Sequence, residues 1–304
     1  MSISTPPQPT AEADSDGAPA HGAPAHGGPD DVVAGADGTE CGLGAVRWAA
    51  REAARRGVAL RIVHAAPYLG RPDSSGEPSP ELPTARRIAA KAYTVALHTA
   101  PGVAASTEVV AADPATALLA AAESCALIVL GSSTTGAADE MVLAPVALRV
   151  SARASRPVVV VPRHHGRPDH TRPVVAVLGI GDAAADEAVV AFAAEAARAA
   201  GVGLSLVQTG TRHGVPAGGG DDWEQRFPDM TVTTTALPGA TPSQLLSAGS
   251  SAPLIVLSTG RDSGSHRSPD SAHRWLLRHC PFPMALVPAV SGRQQDAGAS
   301  ATTG

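Results

Sequence analysis

The chain has 304 residues, a formal net charge of −5 and an aromatic content of only 3 %. This length favours two domains of ordinary size, and the scarcity of aromatic residues predicts cores built from small aliphatic side chains. The weak negative charge argues against nucleic acid or an anionic membrane surface as a partner.

The three cysteines, Cys41, Cys125 and Cys280, are widely spaced and form no CxxC pair. An odd number without a metal or disulfide spacing predicts reduced thiols. The sequence shows neither a basic start followed by an apolar run nor a stretch long enough to span a membrane. These features together predict a cytoplasmic protein.

Both ends of the chain and one internal segment have the composition of irregular structure. Residues 1–29 and 290–304 are rich in small and polar residues, and we expect both to be disordered tails. Residues 163–173 contain Gly, Pro, Arg and His without periodicity and are predicted to be an interdomain linker. The histidines of the tail and the linker lack suitably spaced partners, so no metal site is predicted.

Strands and helices alternate through residues 30–162, the predicted first domain. Short apolar runs predict the strands, and amphipathic stretches ending at Gly or preceded by Asp predict the helices. The expected strands are 31–36, 58–67, 106–111, 127–131 and 157–162, and the expected helices are 42–56, 84–99, 115–124 and 142–154.

Residues 174–289 repeat this order and form the predicted second domain. The segment GVALRIVHA at 57–65 matches GVGLSLVQT at 201–209, and Trp48 falls opposite Phe192 at the same offset. The residues opposite the second helix are broken by Gly and Pro, which predicts a trimmed second helix in this domain.

Alternating elements with continuous apolar strands are typical of a parallel sheet covered by helices on both faces. We therefore predict an α/β fold with two tandem, doubly wound, five-stranded domains. In such sheets ligands bind beyond the carboxyl ends of the strands. The loops after strands one and four, which contain Asp37 and Gly131, are the places to look for a site.

Several segments of the first half carry a resemblance to a known family. They are VVAGADGTE, LRIVHA, AADPATALL, LIVLGSS and RPVVVVP. In these segments and in the order of its elements the chain resembles the universal stress protein family, as a tandem covering about residues 30–288. The resemblance implies a Rossmann-like, adenine nucleotide alpha hydrolase-like fold, a role in stress response and, in some members, ATP binding.

ATP-binding members of that family have Gly, two residues, Gly, nine residues, then Gly and Ser or Thr after strand four. Counting from Gly131, the corresponding later positions hold Thr134, Ala144 and Pro145. Glycines allow backbone amides to approach phosphate oxygens, and a hydroxyl at a helix start donates to them. Only the first position of the pattern is kept, so we expect ATP binding to be lost.

Part of a nucleotide site nevertheless remains in the first domain. Asp37 matches the acidic residue that the family places near the adenosine, and His64 lies in the strand that lines the base pocket. A turn and helix-cap role for Asp37 and a strand-end role for His64 would explain both positions equally well. The candidate nucleotide ligands here are Asp37, His64, Gly131, Ser132, Thr134 and Gly136.

The second domain departs further from the family pattern. Gly181 stands at the place of Asp37 and is followed by Asp182, and Ser258 stands at the place of Gly131. Ser271 keeps a hydroxyl near the next helix start, and the intervening loop is basic. Asp182, Ser258 and Ser271 are the candidate ligands of this domain.

No catalytic motif such as GxxxxGKS/T, GxSxG or HExxH occurs, so we predict no catalytic residues and no enzymatic activity. Two functions are open: an interaction module with an unidentified protein partner, or an adenine-nucleotide sensor with ATP as its ligand. The last strands, 157–162 and 283–288, are apolar edges, and we expect them to join the domains as an internal pseudo-dimer. Cys41 is either a helix-start thiol of lowered pKa or a small buried side chain.

Overall fold

The computed structural model describes residues 28–69, 81–132, 145–163, 169–210, 223, 225–259 and 271–288. The predicted tails lie almost wholly outside these residues, as does the middle of the predicted linker. No helix in the described parts of the chain is both long and apolar enough to cross a membrane.

Strands and helices alternate in the first half as the sequence predicts. Its elements are β1 Val32–Gly35, α1 Glu40–Arg56, β2 Leu60–Ala65, α2 Glu81–Thr99, β3 Ala105–Val110, α3 Pro114–Ala121, β4 Leu127–Ser132, α4 Pro145–Arg153 and β5 Val158–Pro162. A short 3₁₀ helix, Ala122–Ser124, extends α3.

The second half follows the same order. Its described elements are β6 Val174–Leu178, α5 Ala183–Ala200, β7 Leu204–Gln208, β8 Val232–Ala236, α6 Pro242–Ala248, β9 Ile255–Ser258, α7 Ser271–His279 and β10 Met284–Val287. Between β7 and β8 only residues 223 and 225–226 are described as helical. The rest of the segment predicted to carry a trimmed helix lies outside the described residues.

Capping residues explain where the helices begin and end. The Thr39 side chain accepts a hydrogen bond from the amide of Gly42, so α1 begins two residues before the predicted start. Gly57, with φ of 67°, closes the same helix in a left-handed conformation. Asp113 caps α3 and Pro114 occupies its first turn, as the sequence predicts.

The two halves share one sheet. Its strand order is β3-β2-β1-β4-β5-β10-β9-β6-β7-β8, so each half has the same internal order and the halves meet at β5 and β10. This central pair is antiparallel, with Met284 opposite Val160 and Leu286 opposite Val158, whereas the other pairs are parallel. The predicted contact between the last strands of the two halves is thereby confirmed.

Helices cover both faces of this sheet. Val32 and Val33 of β1 are both fully buried but belong to different core clusters, because successive side chains of a strand point to opposite faces. One cluster includes residues of α1, α2 and α5, and the other includes residues of α3, α4, α6 and α7. The many alanines of α1 and α5 let these helices lie close to the sheet and contact each other across the domain boundary.

Candidate functional site

Asp37 organises the turn between β1 and α1. Its Oδ1 accepts hydrogen bonds from the amide of Thr39 at 2.9 Å and from the Thr39 hydroxyl at 2.7 Å. The Thr39 hydroxyl in turn accepts from the amide of Gly42 at 3.2 Å, which caps the helix. One carboxylate oxygen of Asp37 is therefore used in the turn, while the side chain as a whole stays exposed.

Gly131, near the end of β4, lies directly against the first turn of α1. A Cβ atom at this position would be 2.5 Å from the carbonyl oxygen of Cys41, far inside van der Waals contact. A Cβ on Gly42 would likewise lie 2.3 Å from Oδ1 of Asp37. Close approach of backbone segments thus accounts for Gly131 without any phosphate.

His64 fixes the backbone just before Asp37. Its side chain, in β2, is buried, and Nδ1 lies 2.7 Å from the carbonyl oxygen of Ala36. Because a carbonyl oxygen only accepts, Nδ1 is the protonated donor in this bond. The ring therefore has a structural partner at the strand end, which agrees with the strand-end role predicted for His64.

These contacts bring Asp37, His64 and Gly131 together at the carboxyl edge of the first half of the sheet. Ser132 lies there as well and is 4 % exposed. Thr134 and Gly136 fall outside the described residues. Participation of these six residues in nucleotide binding stays a prediction.

In the second domain Asp182 performs the capping task that Thr39 performs in the first. Its Oδ1 accepts a hydrogen bond from the amide of Ala185 at 2.9 Å, at the start of α5. Of Ser271, which begins α7, only the backbone is described. The role of both residues as nucleotide ligands stays a prediction.

Glycine and a larger residue exchange places between the two candidate sites. Ser258, which takes the place of Gly131, is 2 % exposed, and its hydroxyl finds no hydrogen-bond partner among the described residues. It faces Gly181, where an added Cβ would lie 3.1 Å from Oγ of Ser258 and 2.6 Å from Cβ of Ala185. In the first domain the glycine that permits close packing is Gly131, in β4. In the second it is Gly181, which precedes α5.

His273 is a residue whose position the sequence does not reveal. It follows a basic loop in the sequence and carries no sign there that its side chain is buried. The side chain is 1 % exposed, and Nε2 lies 2.6 Å from the carbonyl oxygen of Ser258. It fastens α7 to the end of β9, much as His64 holds the end of β1.

The cysteines are buried. Burial raises the pKa of the Cys41 thiol above its ordinary value, although the positive charge of Arg163 opposes this shift. Of the two interpretations of Cys41, the helix-start thiol of lowered pKa is therefore wrong. Among the described residues no group of three or more His, Cys, Asp and Glu side chains is placed to hold a metal ion.

A known family matches the first half of the chain in sequence. Residues 29–162 match the sequence model of the universal stress protein family. These residues belong to the universal stress protein family. No protein of curated function matches the chain significantly in sequence.

Solved structures extend the likeness to both halves. A universal stress protein from Archaeoglobus fulgidus DSM 4304 is 16 % identical and superposes with a TM-score of 0.66 over 86 % of this chain and 97 % of its own. A functionally unknown protein from Pseudomonas aeruginosa PAO1 is 14 % identical, with a TM-score of 0.58 over 85 % and 92 %. The universal stress protein fold is therefore present across the tandem.

A shorter neighbour was solved with a nucleotide. It is a universal stress protein from Archaeoglobus fulgidus in complex with dAMP, 20 % identical, with a TM-score of 0.32 over 43 % of this chain and 95 % of its own.

Proposed function

We propose that this chain is a non-enzymatic, cytoplasmic tandem universal stress protein that acts by contact with another protein and has lost ATP binding. The observation that carries the proposal is the position of Pro145, the first residue of α4. In the resemblance drawn above, this is the hydroxyl position of the phosphate-binding loop.

At this position proline lacks two groups that could bind a phosphate oxygen. A helix start attracts phosphate because its first amide N–H groups have no partner within the helix. Proline has no N–H, and it also lacks the hydroxyl that the family pattern places here. Pro145 is well suited to begin a helix and poorly suited to bind a phosphate oxygen.

The residues that do match the family pattern make structural contacts that explain them without a ligand. Gly131 makes room for the carbonyl of Cys41, and His64 holds the carbonyl of Ala36. Asp37 forms the turn before α1. In addition, Asp139 and Glu140 place two negative charges in the sequence of the loop that would surround a triphosphate.

A second candidate function is adenine-nucleotide sensing by the first domain. It is favoured by the exposure of Asp37 beside Gly131, at the edge of the sheet where such folds bind ligands. Among the described residues only Oδ1 of this carboxylate is hydrogen-bonded, so Oδ2 is available to a ribose hydroxyl.

A calorimetric titration with ATP and Mg²⁺ distinguishes these functions. We expect no binding heat for the natural chain at millimolar ATP and no change in its melting temperature. A ligand present at a hundredfold its Kd would stabilise the protein by about 2.7 kcal/mol, which a melting experiment detects easily.

A variant with the family pattern restored provides the matched control. It carries Thr134→Gly, Ala144→Gly and Pro145→Ser, and binding by this variant would show that the missing pattern is what prevents ATP from binding. Micromolar binding by the natural chain that is lost in Asp37→Ala would instead establish the nucleotide sensor.

A further inference from the structure

A cleft of about 570 Å³ lies between the two domains, away from both candidate nucleotide sites. One wall is formed by α1 of the first domain and another by the end of α5 of the second. Val174, the first residue of β6, lies in its lining, together with Leu254 and Pro283, which immediately precede β9 and β10. The cleft therefore opens at the amino ends of the strands of the second domain, opposite the edge where that domain would hold a nucleotide.

The α1 wall presents an unpaired cation. Trp48, Arg51, Glu52 and Arg55 line the cleft, and their spacing along the helix places them on one face. Arg51 is exposed and forms no hydrogen bond or ion pair with any other residue in the described parts of the chain. A guanidinium in this position is free to bind a carboxylate or a phosphate through two parallel hydrogen bonds.

The two carboxylates that line the cleft have hydrogen-bond partners other than Arg51. The two oxygens of Glu52, whose side chain is 3 % exposed, contact Arg55 at 3.1 Å and Arg56 at 2.7 Å. Oδ1 of Asp169 accepts hydrogen bonds from both the amide and the hydroxyl of Thr171. Asp169 stays ionised, because neutral donors do not remove its charge, but among the described residues no ion pair joins it or Glu52 to Arg51. His170 adds a further donor to the lining.

The fold does not demand these guanidinium groups. The helices α1 and α5 end at equivalent glycines, Gly57 and Gly201, both in left-handed conformation. Counting back from these glycines, Arg51 corresponds to Glu195, and Arg55 corresponds to an alanine. The cationic wall is therefore particular to the first domain's helix and is absent from the equivalent helix face of the second.

The remaining lining is apolar and small. Trp48 is partly buried against the core, and Ala196 and Ala200 leave open the space opposite it. This combination suits a flat apolar body placed between an aromatic ring and alanine side chains. The volume lies within the range of pockets that bind small molecules.

We propose that this interdomain cleft binds a small organic anion, a carboxylate or phosphate monoester carried on an aromatic ring. The anionic group pairs with Arg51, and the ring lies against Trp48 and the alanines of α5. Because residues from both domains line the cleft, the ligand binds only when the two halves are docked as observed.

The experiment uses the full chain and fluorine NMR with three probes. These are 4-fluorophenylacetate, 4-fluorophenyl phosphate and the neutral 4-fluorobenzyl alcohol. We expect at least one of the two anions to bind in the submillimolar range and the alcohol to bind at least about tenfold more weakly, since a charged hydrogen bond is lost. The stronger of the two anions identifies the headgroup.

Two variants locate the binding. Arg51→Gln should weaken the bound anion about tenfold, whereas the matched control Arg47→Gln, on an exposed part of the same helix, should leave it unchanged. Ala200→Phe should fill the cleft and abolish binding, with the melting temperature showing whether this variant is folded.

Four results would overturn the proposal. They are failure of both anions to bind at millimolar concentration, equal binding of the alcohol, equal effects of the two arginine variants, and full binding by a folded Ala200→Phe variant.

Discussion

Arg56 of α1 and Glu195 of α5 join the two domains through an ion pair of 2.5 Å between Nη1 and Oε1. The same guanidinium donates from Nε to Oε1 of Glu52 at 2.7 Å. Arg56 is 8 % exposed and Glu52 3 %, but Glu195 is 61 % exposed. We therefore expect the buried pair Arg56–Glu52 to contribute more to stability than the interdomain pair Arg56–Glu195.

Replacing Arg56→Met should lower the free energy of unfolding by about 2 to 4 kcal/mol. The substitution leaves the buried carboxylate of Glu52 with Arg55 alone, and a buried charge that loses a partner is strongly destabilising. Urea denaturation followed by circular dichroism measures the loss. The control Glu195→Gln should cost less than about 1 kcal/mol because exposed ion pairs contribute little. Equal losses in the two variants would show that the interdomain bridge dominates.

Gly131→Ala should destabilise the first domain by about 1 to 3 kcal/mol. The new methyl group would meet the carbonyl of Cys41 at 2.5 Å, so β4 or the start of α1 must shift. Thermal unfolding of the variant measures the cost. The matched control is Gly44→Ala, because an added Cβ at this helical position meets no atom within 4 Å. We expect that variant to be as stable as the natural chain or more so.

Ser258→Ala should not lower the free energy of unfolding as Gly131→Ala does, although the two positions correspond in the two halves. The Ser258 hydroxyl is buried and has no hydrogen-bond partner in the described parts of the chain, so removing it relieves an unsatisfied polar group. We expect the free energy of unfolding to stay unchanged or to rise by up to about 1 kcal/mol. A loss of more than 1 kcal/mol on denaturant unfolding would mean that the hydroxyl has a partner after all.

The alternation of elements and the joining of the two halves were accessible from the sequence. Buried parallel strands require continuous apolar runs, and Asp113 followed by Pro114 is a strong local signal for a helix start. The edges at 157–162 and 283–288 are too apolar to face water, so their pairing follows from the same reasoning.

The roles of the site residues were harder to predict from the sequence, because the same residue types suit both a nucleotide site and a structural contact. Asp37 and Gly131 fit a nucleotide site, but the same residues are also what a turn and a close helix contact require. The burial of His273 depends on how α7 packs against the end of β9, which local periodicity does not encode. The exchange of glycine between Gly131 and Gly181 is likewise a property of packing across two elements.

Cys280 should make the protein less stable at high pH. Burial raises the pKa of its thiol from 9.0 to about 11, while the backbone carbonyl of Phe282 accepts a hydrogen bond from the sulfur at 3.3 Å. In the unfolded chain the thiol loses its proton near pH 9, and in the folded chain it keeps the proton until about pH 11.

Unfolding in this interval releases a proton, so alkaline conditions favour the unfolded state. The contribution of Cys280 is fully present below pH 9 and declines as the pH rises to 11, by about 2 to 3 kcal/mol. Urea denaturation at a series of pH values should therefore show a steeper decline for the natural chain than for Cys280→Val, which has no ionisable group. Other groups titrate equally in both proteins, so the difference between the two slopes isolates this thiol. Parallel curves between pH 9 and 11 would show that Cys280 ionises at its ordinary pKa, and that the end of α7 admits water.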